Sequence, residues 1–193
     1  AAGTYTLTMT DVNLCTNIIS VTITEPVAPT ISYTQTNTSC NSGSDGSIDI
    51  TISGGLNPYQ YSWSNSATSQ DINNLSAGIY SVSVTDGNNC LVSENITITE
   101  PSVISITSVQ TNITNCNGSD GSINITPSGG TGNYTYLWNN NATTEDVNGL
   151  TSGSYSVDVT DVNNCTYSFN FILSEPSGIT AYETINNVNC FGE

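Results

Sequence analysis

The 193-residue chain carries 16 Asp and Glu residues and no Lys, Arg or His, which gives a formal net charge of -16. Without an imidazole base, a lysine nucleophile or an arginine clamp, the common catalytic arrangements cannot be assembled, and we expect no enzymatic activity. The negative charge also excludes binding to nucleic acid and to anionic membrane surfaces, because both depend on Lys and Arg. No run approaches about 18 apolar residues, so we expect no membrane insertion.

One stretch of the sequence recurs three times. Its Gly-x-Tyr start and its Glu-Pro end repeat every 75 residues, at Gly3, Gly78 and Gly153 and at Glu25, Glu100 and Glu175. This period predicts a tandem array of small, similar domains. The predicted boundaries place the C-terminal part of an incomplete repeat at 1–26, complete repeats at 27–101 and 102–176, and the N-terminal part of a further repeat at 177–193. We therefore expect a fragment of a longer protein.

The first complete repeat alternates apolar and polar residues, a pattern typical of half-buried strands. Strands are predicted at 31–40 and 47–53, with a turn at 41–46 and a break at Gly54 and Gly55. Tyr59, Tyr61 and Trp63 share one face of a third strand. The polar segment 64–75 predicts a short strand and a turn. Two further strands follow, one with Tyr80, Val82 and Val84 on its inner face and one over 91–100.

The second complete repeat follows the same plan, and neither repeat shows a helical period. Six or seven short strands in about 75 residues predict an immunoglobulin-like β-sandwich. The fold class is therefore all-β, with tandem antiparallel sandwich domains in an extended array. The predicted core includes Trp63, Tyr80, Trp138 and Tyr155. The segments 75–80 and 150–155 are similar to a tyrosine corner, in which a Tyr bonds back to the preceding turn.

Six cysteines follow the repeat and indicate disulfides rather than a metal or catalytic site. They are Cys15, Cys40, Cys90, Cys116, Cys165 and Cys190. Pairing within each domain would join Cys40 to Cys90 and Cys116 to Cys165. Tight turns at the Glu-Pro motifs would instead join Cys15 to Cys40, Cys90 to Cys116 and Cys165 to Cys190.

A third pairing crosses the junction between domains. If the first strand runs the length of its domain, Cys40 and Cys90 lie at opposite ends, about 30 Å apart for about ten residues of strand. A disulfide needs Cα atoms within about 7 Å. The bottom of one domain faces the top of the next, so Cys40 would pair with Cys165, and the other cysteines would bond to domains outside this chain. The three pairings remain open at this point.

The loops that precede Cys90 and Cys165 are rich in Asp and Asn. Their oxygen atoms, on Asp86, Asn88, Asp161 and Asn163, are the kind that Ca²⁺ prefers. Asp and Asn also favour turns, because their side chains bond to nearby backbone groups. The turn is the interpretation adopted here, so we expect no cofactor, with Ca²⁺ as the alternative.

The ordered motifs of the second complete repeat resemble the SprB repeat. They are Cys-Asn-Gly-Ser-Asp-Gly-Ser-Ile from Cys116, Gly129-Gly130, Tyr-x-Tyr-x-Trp at 134–138, Leu-x-x-Gly-x-Tyr at 150–155, Thr-Asp-x-Asn-Asn-Cys at 160–165 and the closing Glu-Pro. The resemblance covers both complete repeats and the two partial ones. SprB repeats occur in very large cell-surface proteins of gliding Bacteroidota.

The resemblance implies a secreted adhesin filament attached to the outer membrane, exported by the type IX secretion system and used in surface attachment and gliding. Its expected partners are neighbouring repeats of the same chain, a surface polysaccharide or the substratum, and the gliding or secretion machinery through regions outside this chain. The alternative is a passive stalk that holds another module, such as an enzyme or a carbohydrate-binding domain, away from the cell.

Overall fold

The computed structural model describes residues 1–178 and 181–184, which form strands, turns and loops. The chain divides into two compact units, Ala1–Glu100 and Pro101–Glu193. The described residues include no helix long and apolar enough to cross a membrane. Cys190, a predicted disulfide candidate, lies outside the described residues.

Unit 1 begins with a hairpin of two strands and continues with six more. The hairpin strands are β1 (Gly3–Thr10) and β2 (Thr16–Ile23), and the others are β3 (Thr30–Thr36), β4 (Gly46–Ser53), β5 (Gln60–Trp63), β6 (Ile72–Leu75), β7 (Gly78–Thr85) and β8 (Leu91–Ile98). The six later strands form two antiparallel sheets with the orders β3-β4-β6 and β5-β7-β8. We call these six strands the first domain.

Unit 2 contains the same six strands in the same order. They are β9 (Ser105–Thr111), β10 (Gly121–Ser128), β11 (Thr135–Trp138), β12 (Val147–Leu150), β13 (Gly153–Thr160) and β14 (Thr166–Leu173). The two sheets have the orders β9-β10-β12 and β11-β13-β14. In an immunoglobulin domain, strands A, B and E lie in one sheet and strands C, F and G lie in the other. The six strands of each domain correspond in chain order to A, B, C, E, F and G. The all-β, immunoglobulin-like prediction is confirmed, and we call these six strands the second domain.

Each core lies between the two sheets of its own domain. In the first domain the buried side chains form a single cluster: Ile48, Ile50, Trp63, Ile72, Leu75, Val82, Val84, Ile96 and Ile98. Trp138 is 1% exposed in the second domain, and its ring centroid lies 5.7 Å from that of Phe171. The two Trp residues are core residues, as predicted, whereas Tyr80 and Tyr155 are half-buried at its margin.

The tyrosine corner predicted from the Gly-x-Tyr motif is present in both domains. The Tyr80 hydroxyl donates to the Ser76 carbonyl oxygen at 3.0 Å, and the Tyr155 hydroxyl donates to the Thr151 carbonyl oxygen at 2.9 Å. Each bond ties the start of a core strand to the turn before it. A half-buried Tyr with a satisfied hydroxyl suits this position, because its ring is apolar and its tip is polar.

The first strand of each domain is shorter than predicted. Strand β3 ends at Thr36, four residues before Cys40, and the next strand begins at Gly46. Side chains hold the backbone between them: the Asn37 amide oxygen accepts from the Thr99 N–H at 2.9 Å, and the Asp45 carboxylate accepts from the Ser39 N–H at 3.1 Å. The predicted strand therefore ends in an ordered loop rather than continuing to the cysteine.

The β1–β2 hairpin has the register of the last two strands of a complete domain. Gly3 lies opposite Ile23, as Gly78 lies opposite Ile98 and Gly153 opposite Leu173. Its apolar residues are exposed, with Tyr5, Leu7 and Met9 at 51%, 58% and 45%. The corresponding face is the buried one in β7 and β13.

Candidate functional site

Each domain has two ends at which loops meet. The loop cysteines and the carboxylates that hold these loops lie at the two ends. The N-terminal pole contains the segment by which the chain enters the domain, the Gly-Gly turn after the second strand, and the loop between the last two strands. The C-terminal pole contains the loop between the first two strands and the end of the last strand. We name these loops the FG loop (86–90 and 161–165) and the AB loop (37–45 and 112–120).

The N-terminal pole of the second domain is organised around the Asp161 carboxylate. One oxygen accepts hydrogen bonds from the N–H groups of Asn163 and Cys165, each at 2.9 Å, and the other accepts from the Thr131 N–H at 2.9 Å. The Gly130 N–H donates to the Ser102 carbonyl oxygen at 2.8 Å, which brings the entering chain to the same place. Asp161 thereby joins its own loop to the Gly-Gly turn, and the Gly130 bond attaches the entering chain to that turn.

The first domain repeats this arrangement at Asp86. Its carboxylate accepts from the N–H groups of Asn88, Cys90 and Leu56 at 2.9, 2.8 and 3.0 Å. Asp86 and Asp161 are each only 4% exposed. Burial opposes ionisation at both residues, but the backbone donors outweigh it and lower the pKa of each carboxyl group below its usual value.

The Gly-Gly turn permits this close approach. Gly129 has a φ of +83°, and a Cβ atom there would lie 2.1 Å from the Val103 carbonyl oxygen. Gly130 has a φ of +58°, and its Cβ atom would lie 2.7 Å from the Asp161 carboxylate. Both the left-handed conformation and the lack of space therefore require glycine.

We expect the substitution Gly129→Ala to destabilise the second domain much more than Gly132→Ala. Gly132 has a φ of +64° but nothing within 4 Å of a built Cβ, so alanine there costs only the left-handed conformation, about 1–2 kcal/mol. At Gly129 the collision with the Val103 carbonyl oxygen adds to that cost. Urea unfolding followed by Trp fluorescence measures both. Equal losses would show that the turn relaxes freely and that the close approach is unimportant.

The C-terminal pole is held by the Glu of each Glu-Pro motif. The Glu100 carboxylate accepts from the Ser42 N–H at 2.6 Å, and the Glu175 carboxylate accepts from the Asn117 N–H at 2.9 Å. The Thr38 N–H also donates to the Thr99 carbonyl oxygen at 3.1 Å. These bonds attach the AB loop to the residues by which the chain leaves the domain. In the sequence, this Glu is notable only because it recurs every 75 residues. Its hydrogen bond to the AB loop, which we call its capping role, was not predicted.

Asp45 and Asp120, in the predicted Ser-Asp-Gly turns, stabilise the AB loops locally. Asp45 accepts from the hydroxyl and the N–H of Ser39, and these bonds lower the pKa of its carboxyl group. Asp120 accepts from the hydroxyl and the N–H of Thr114 with the same effect on its pKa. These carboxylates shape turns, as the sequence predicted.

The five cysteines within the described residues lie in the AB and FG loops or in the equivalent loop of the β1–β2 hairpin, and they differ in oxidation state. Cys40 is in the AB loop of the first domain, Cys165 is in the FG loop of the second, and both are disulfide-bonded. Cys15, Cys90 and Cys116 are free thiols. The predicted pairs Cys40–Cys90 and Cys116–Cys165 are therefore wrong, and so are Cys15–Cys40 and Cys90–Cys116. The physical reason for the two within-domain pairs is that AB-loop and FG-loop cysteines lie at opposite ends of their domain, and the other two pairs are ruled out because Cys15, Cys90 and Cys116 are thiols.

The predicted Ca²⁺ alternative involves side chains that have other partners. Both oxygens of Asp86 and of Asp161 accept backbone hydrogen bonds, and the Asn163 amide nitrogen donates to the Thr131 hydroxyl at 3.0 Å. Within residues 1–178 and 181–184, no three Asp, Glu or Cys side chains are grouped as metal ligands. The turn interpretation accounts for the geometry of both loops, and Ca²⁺ binding at Asn88 and its neighbours stays an untested prediction.

Two segments of the chain match the family model of the SprB repeat, at residues 32–68 and 107–143. The matched segments occupy corresponding parts of the two domains, from the first strand to the turn after the Tyr-x-Tyr-x-Trp motif. A search of curated proteins gave no match.

Several solved structures have a similar arrangement of strands. The three N-terminal domains of the bacteriophage RB49 Highly Immunogenic Outer Capsid protein are 15% identical, with 77% of this chain and 59% of that chain covered and a TM-score of 0.45. The N-terminal eight immunoglobulin domains of Down Syndrome Cell Adhesion Molecule are 13% identical, with 91% and 28% covered and a TM-score of 0.46. This chain thus spans less than two thirds of either structure. The strand order and register, rather than these similarities, define the fold.

Proposed function

We propose that this segment of SprB repeats is part of a secreted adhesin filament on a bacterial surface, where it serves attachment and gliding. The observation that carries the proposal is the repetition of one immunoglobulin-like domain whose chemistry-bearing residues are used for structure at the poles. Asp86, Asp161, Glu100 and Glu175 accept backbone hydrogen bonds and both Trp residues pack in the cores, which supports a mechanical role. The two disulfide-bonded cysteines fit an oxidising extracellular environment.

Several properties suit a long filament outside the cell. Strands of eight residues give each domain a length of about 26 Å, so a tandem array gains reach with every repeat. The net charge of -16 makes neighbouring filaments repel one another and remain soluble. The absence of Lys and Arg also leaves no site for proteases with the specificity of trypsin.

The proposed partners follow from this role. Neighbouring repeats of the same chain would share junctions, and a surface polysaccharide or the substratum would be the adhesive target. Export by the type IX secretion system and attachment to the gliding machinery at the outer membrane would depend on other parts of the protein. If the repeats are only a stalk, they contribute length alone. Unrelated domains of equal length would then replace them without loss of attachment or gliding.

A domain swap in the native protein tests adhesion against a stalk role. Residues 27–176 are replaced by two unrelated immunoglobulin-like domains of equal length, and surface exposure is checked with an antibody in intact cells. We expect the swapped protein to reach the surface while attachment and gliding fall at least several-fold. Full attachment and gliding by the swapped strain would overturn the adhesive role and leave a spacer.

A further inference from the structure

We propose that consecutive repeats are linked by disulfides in a fixed pattern, in which the AB-loop cysteine of one domain bonds to the FG-loop cysteine of the next. In this chain the pattern joins Cys40 to Cys165. The proposal concerns how the repeats are cross-linked and does not depend on what the repeats adhere to.

Cys40 lies beside the exit of its own domain. Its carbonyl oxygen accepts from the Thr38 hydroxyl at 3.0 Å and from the Gly43 N–H at 3.1 Å. Thr38 is itself bonded to Thr99 through its backbone N–H. The Ser42 N–H bonds to the Glu100 carboxylate. Bonds on both sides of Cys40 thus fix the AB loop against the last residues of the first domain.

Cys165 lies beside the start of its own domain. Its N–H donates to the Asp161 carboxylate, whose other oxygen holds Thr131. Gly130, the neighbour of Thr131, donates to the Ser102 carbonyl oxygen. The FG loop is therefore fixed against the first residues of the second domain.

The continuity of the backbone also favours this pairing. Thr99, in the C-terminal pole of the first domain, is three residues from Ser102 in the N-terminal pole of the second, which is a span of at most about 11 Å. This short peptide therefore connects the C-terminal pole of the first domain to the N-terminal pole of the second. Cys40 and Cys165 lie at these poles and are both oxidised, whereas Cys15, Cys90 and Cys116 are thiols. Pairing of Cys40 with Cys165 accounts for both observations.

The same pattern can extend along an array. Cys116 lies in the AB loop one residue after Asn115, which has the position of Cys40, and the Asn117 N–H beside Cys116 bonds to the Glu175 carboxylate. Cys90 and Cys15 have the FG-loop position of Cys165, and their N–H groups bond to Asp86 and Asp11, each at 2.8 Å. In a longer array, each of these thiols would meet its partner on a flanking repeat, so that every junction would carry one disulfide.

Each link forms by oxidation of two thiols. The two Sγ–H groups lose two protons and two electrons, one S–S bond forms, and the disulfide of an extracytoplasmic thiol oxidoreductase is reduced to a dithiol. In the test tube, oxidised glutathione is the acceptor and is converted to two molecules of reduced glutathione. Thiol–disulfide exchange allows a wrong pair to rearrange until the native pair is reached.

The test compares the chain with an extended chain in which a copy of residues 102–176 replaces 177–193. Both proteins are refolded in a glutathione buffer, alkylated, digested with chymotrypsin and a Glu-specific protease because Lys and Arg are absent, and mapped without reduction. In the original chain we expect a Cys40–Cys165 peptide, with Cys15, Cys90 and Cys116 alkylated. In the extended chain we expect a second link, from Cys116 to the copied Cys165, and at least a ten-fold fall in Cys116 alkylation.

A matched variant separates pairing from simple burial. The substitution Cys165→Ser in the appended copy alone should restore alkylation of Cys116 and leave the Cys40–Cys165 peptide unchanged. A Cys40–Cys90, Cys116–Cys165 or Cys165–Cys190 peptide in the original chain would overturn the pattern. Full alkylation of Cys116 in the extended chain would overturn its extension to further repeats.

Discussion

Replacing Trp138 with alanine should unfold most of the second domain and leave the first domain folded. The Trp138 ring is 1% exposed, contacts Phe171, and its indole N–H donates to the Thr144 carbonyl oxygen at 2.9 Å. Truncating a buried Trp to Ala costs about 3–5 kcal/mol. A domain of this size has a free energy of unfolding of roughly 4–11 kcal/mol, so the loss removes much or all of it.

The chain supplies its own reporter for this experiment, because each domain contains one Trp. In the Trp138→Ala variant, Trp63 fluorescence follows the first domain alone, while circular dichroism follows both. We expect the dichroism to show a lost or early transition and the Trp63 transition to keep its urea midpoint. Trp138→Phe, which keeps an aromatic ring, serves as the control and should lose less. An unchanged dichroism transition in Trp138→Ala would refute the central packing role of this side chain.

Replacing Asp161 with alanine should destabilise the second domain by about 3 kcal/mol. The substitution leaves three backbone N–H groups without their acceptor, and an unsatisfied buried donor costs about 1–3 kcal/mol before the loop relaxes or admits water. The control is Asp158→Ala, which removes a carboxylate whose bond is to the hydroxyl of Ser168 on the neighbouring strand. Urea unfolding should show a small effect at Asp158, and equal effects at the two positions would contradict the role of Asp161.

The same residue predicts how stability depends on pH. The pKa of Asp161 is lower in the folded domain than in the unfolded chain, so its contribution is full above about pH 4 and is lost as pH falls through the folded pKa. Asp86, Asp45 and Asp120 have the same sign. Unfolding midpoints measured from pH 2 to 7 should therefore decline only on the acid side, and Asp161→Asn should flatten that decline. A decline centred near neutral pH would contradict this assignment.

Tyr136 predicts how the stability of the second domain changes at high pH. Burial, with the nearby Glu145 carboxylate, raises the pKa of Tyr136 to about 12. A raised pKa of an acid means that its neutral form is favoured by folding, so this contribution is present below about pH 10 and is lost as pH rises further. Between these two limits the titratable groups with shifted pKa values leave the stability nearly constant.

Local patterns predicted the strands well, because alternation reports which face of a strand is buried. Val82, Val84 and Trp63 alternate with polar residues and are all in the core. The turn role of Asp86 was predicted for its own loop, but its bond to Leu56, 30 residues away, was not. Such a bond depends on which loops contact each other at a pole, and the spacing of residues in the sequence does not show which loops these are.

The cysteine pairs illustrate the same limit. The sequence predicts disulfides from six recurring cysteines, yet Cys90 and Cys165 lie in similar loops, TDGNNC and TDVNNC, and differ in oxidation state. The pattern of the loop alone therefore does not specify which cysteine is oxidised. The capping role of Glu100 escaped prediction for a related reason, because its partner Ser42 precedes it by 58 residues.

The chain's ionised side chains are all negative, and the carboxylates at the poles accept hydrogen bonds from backbone N–H groups instead of pairing with cations. In the absence of Lys, Arg and His, side-chain ion pairs cannot form, and dissolved ions therefore have none to screen. Among charge interactions, added salt acts only on the mutual repulsion of the carboxylates, which it weakens. We therefore expect no loss of electrostatic stabilisation as the salt concentration rises, whereas a protein held by surface ion pairs loses part of its stability.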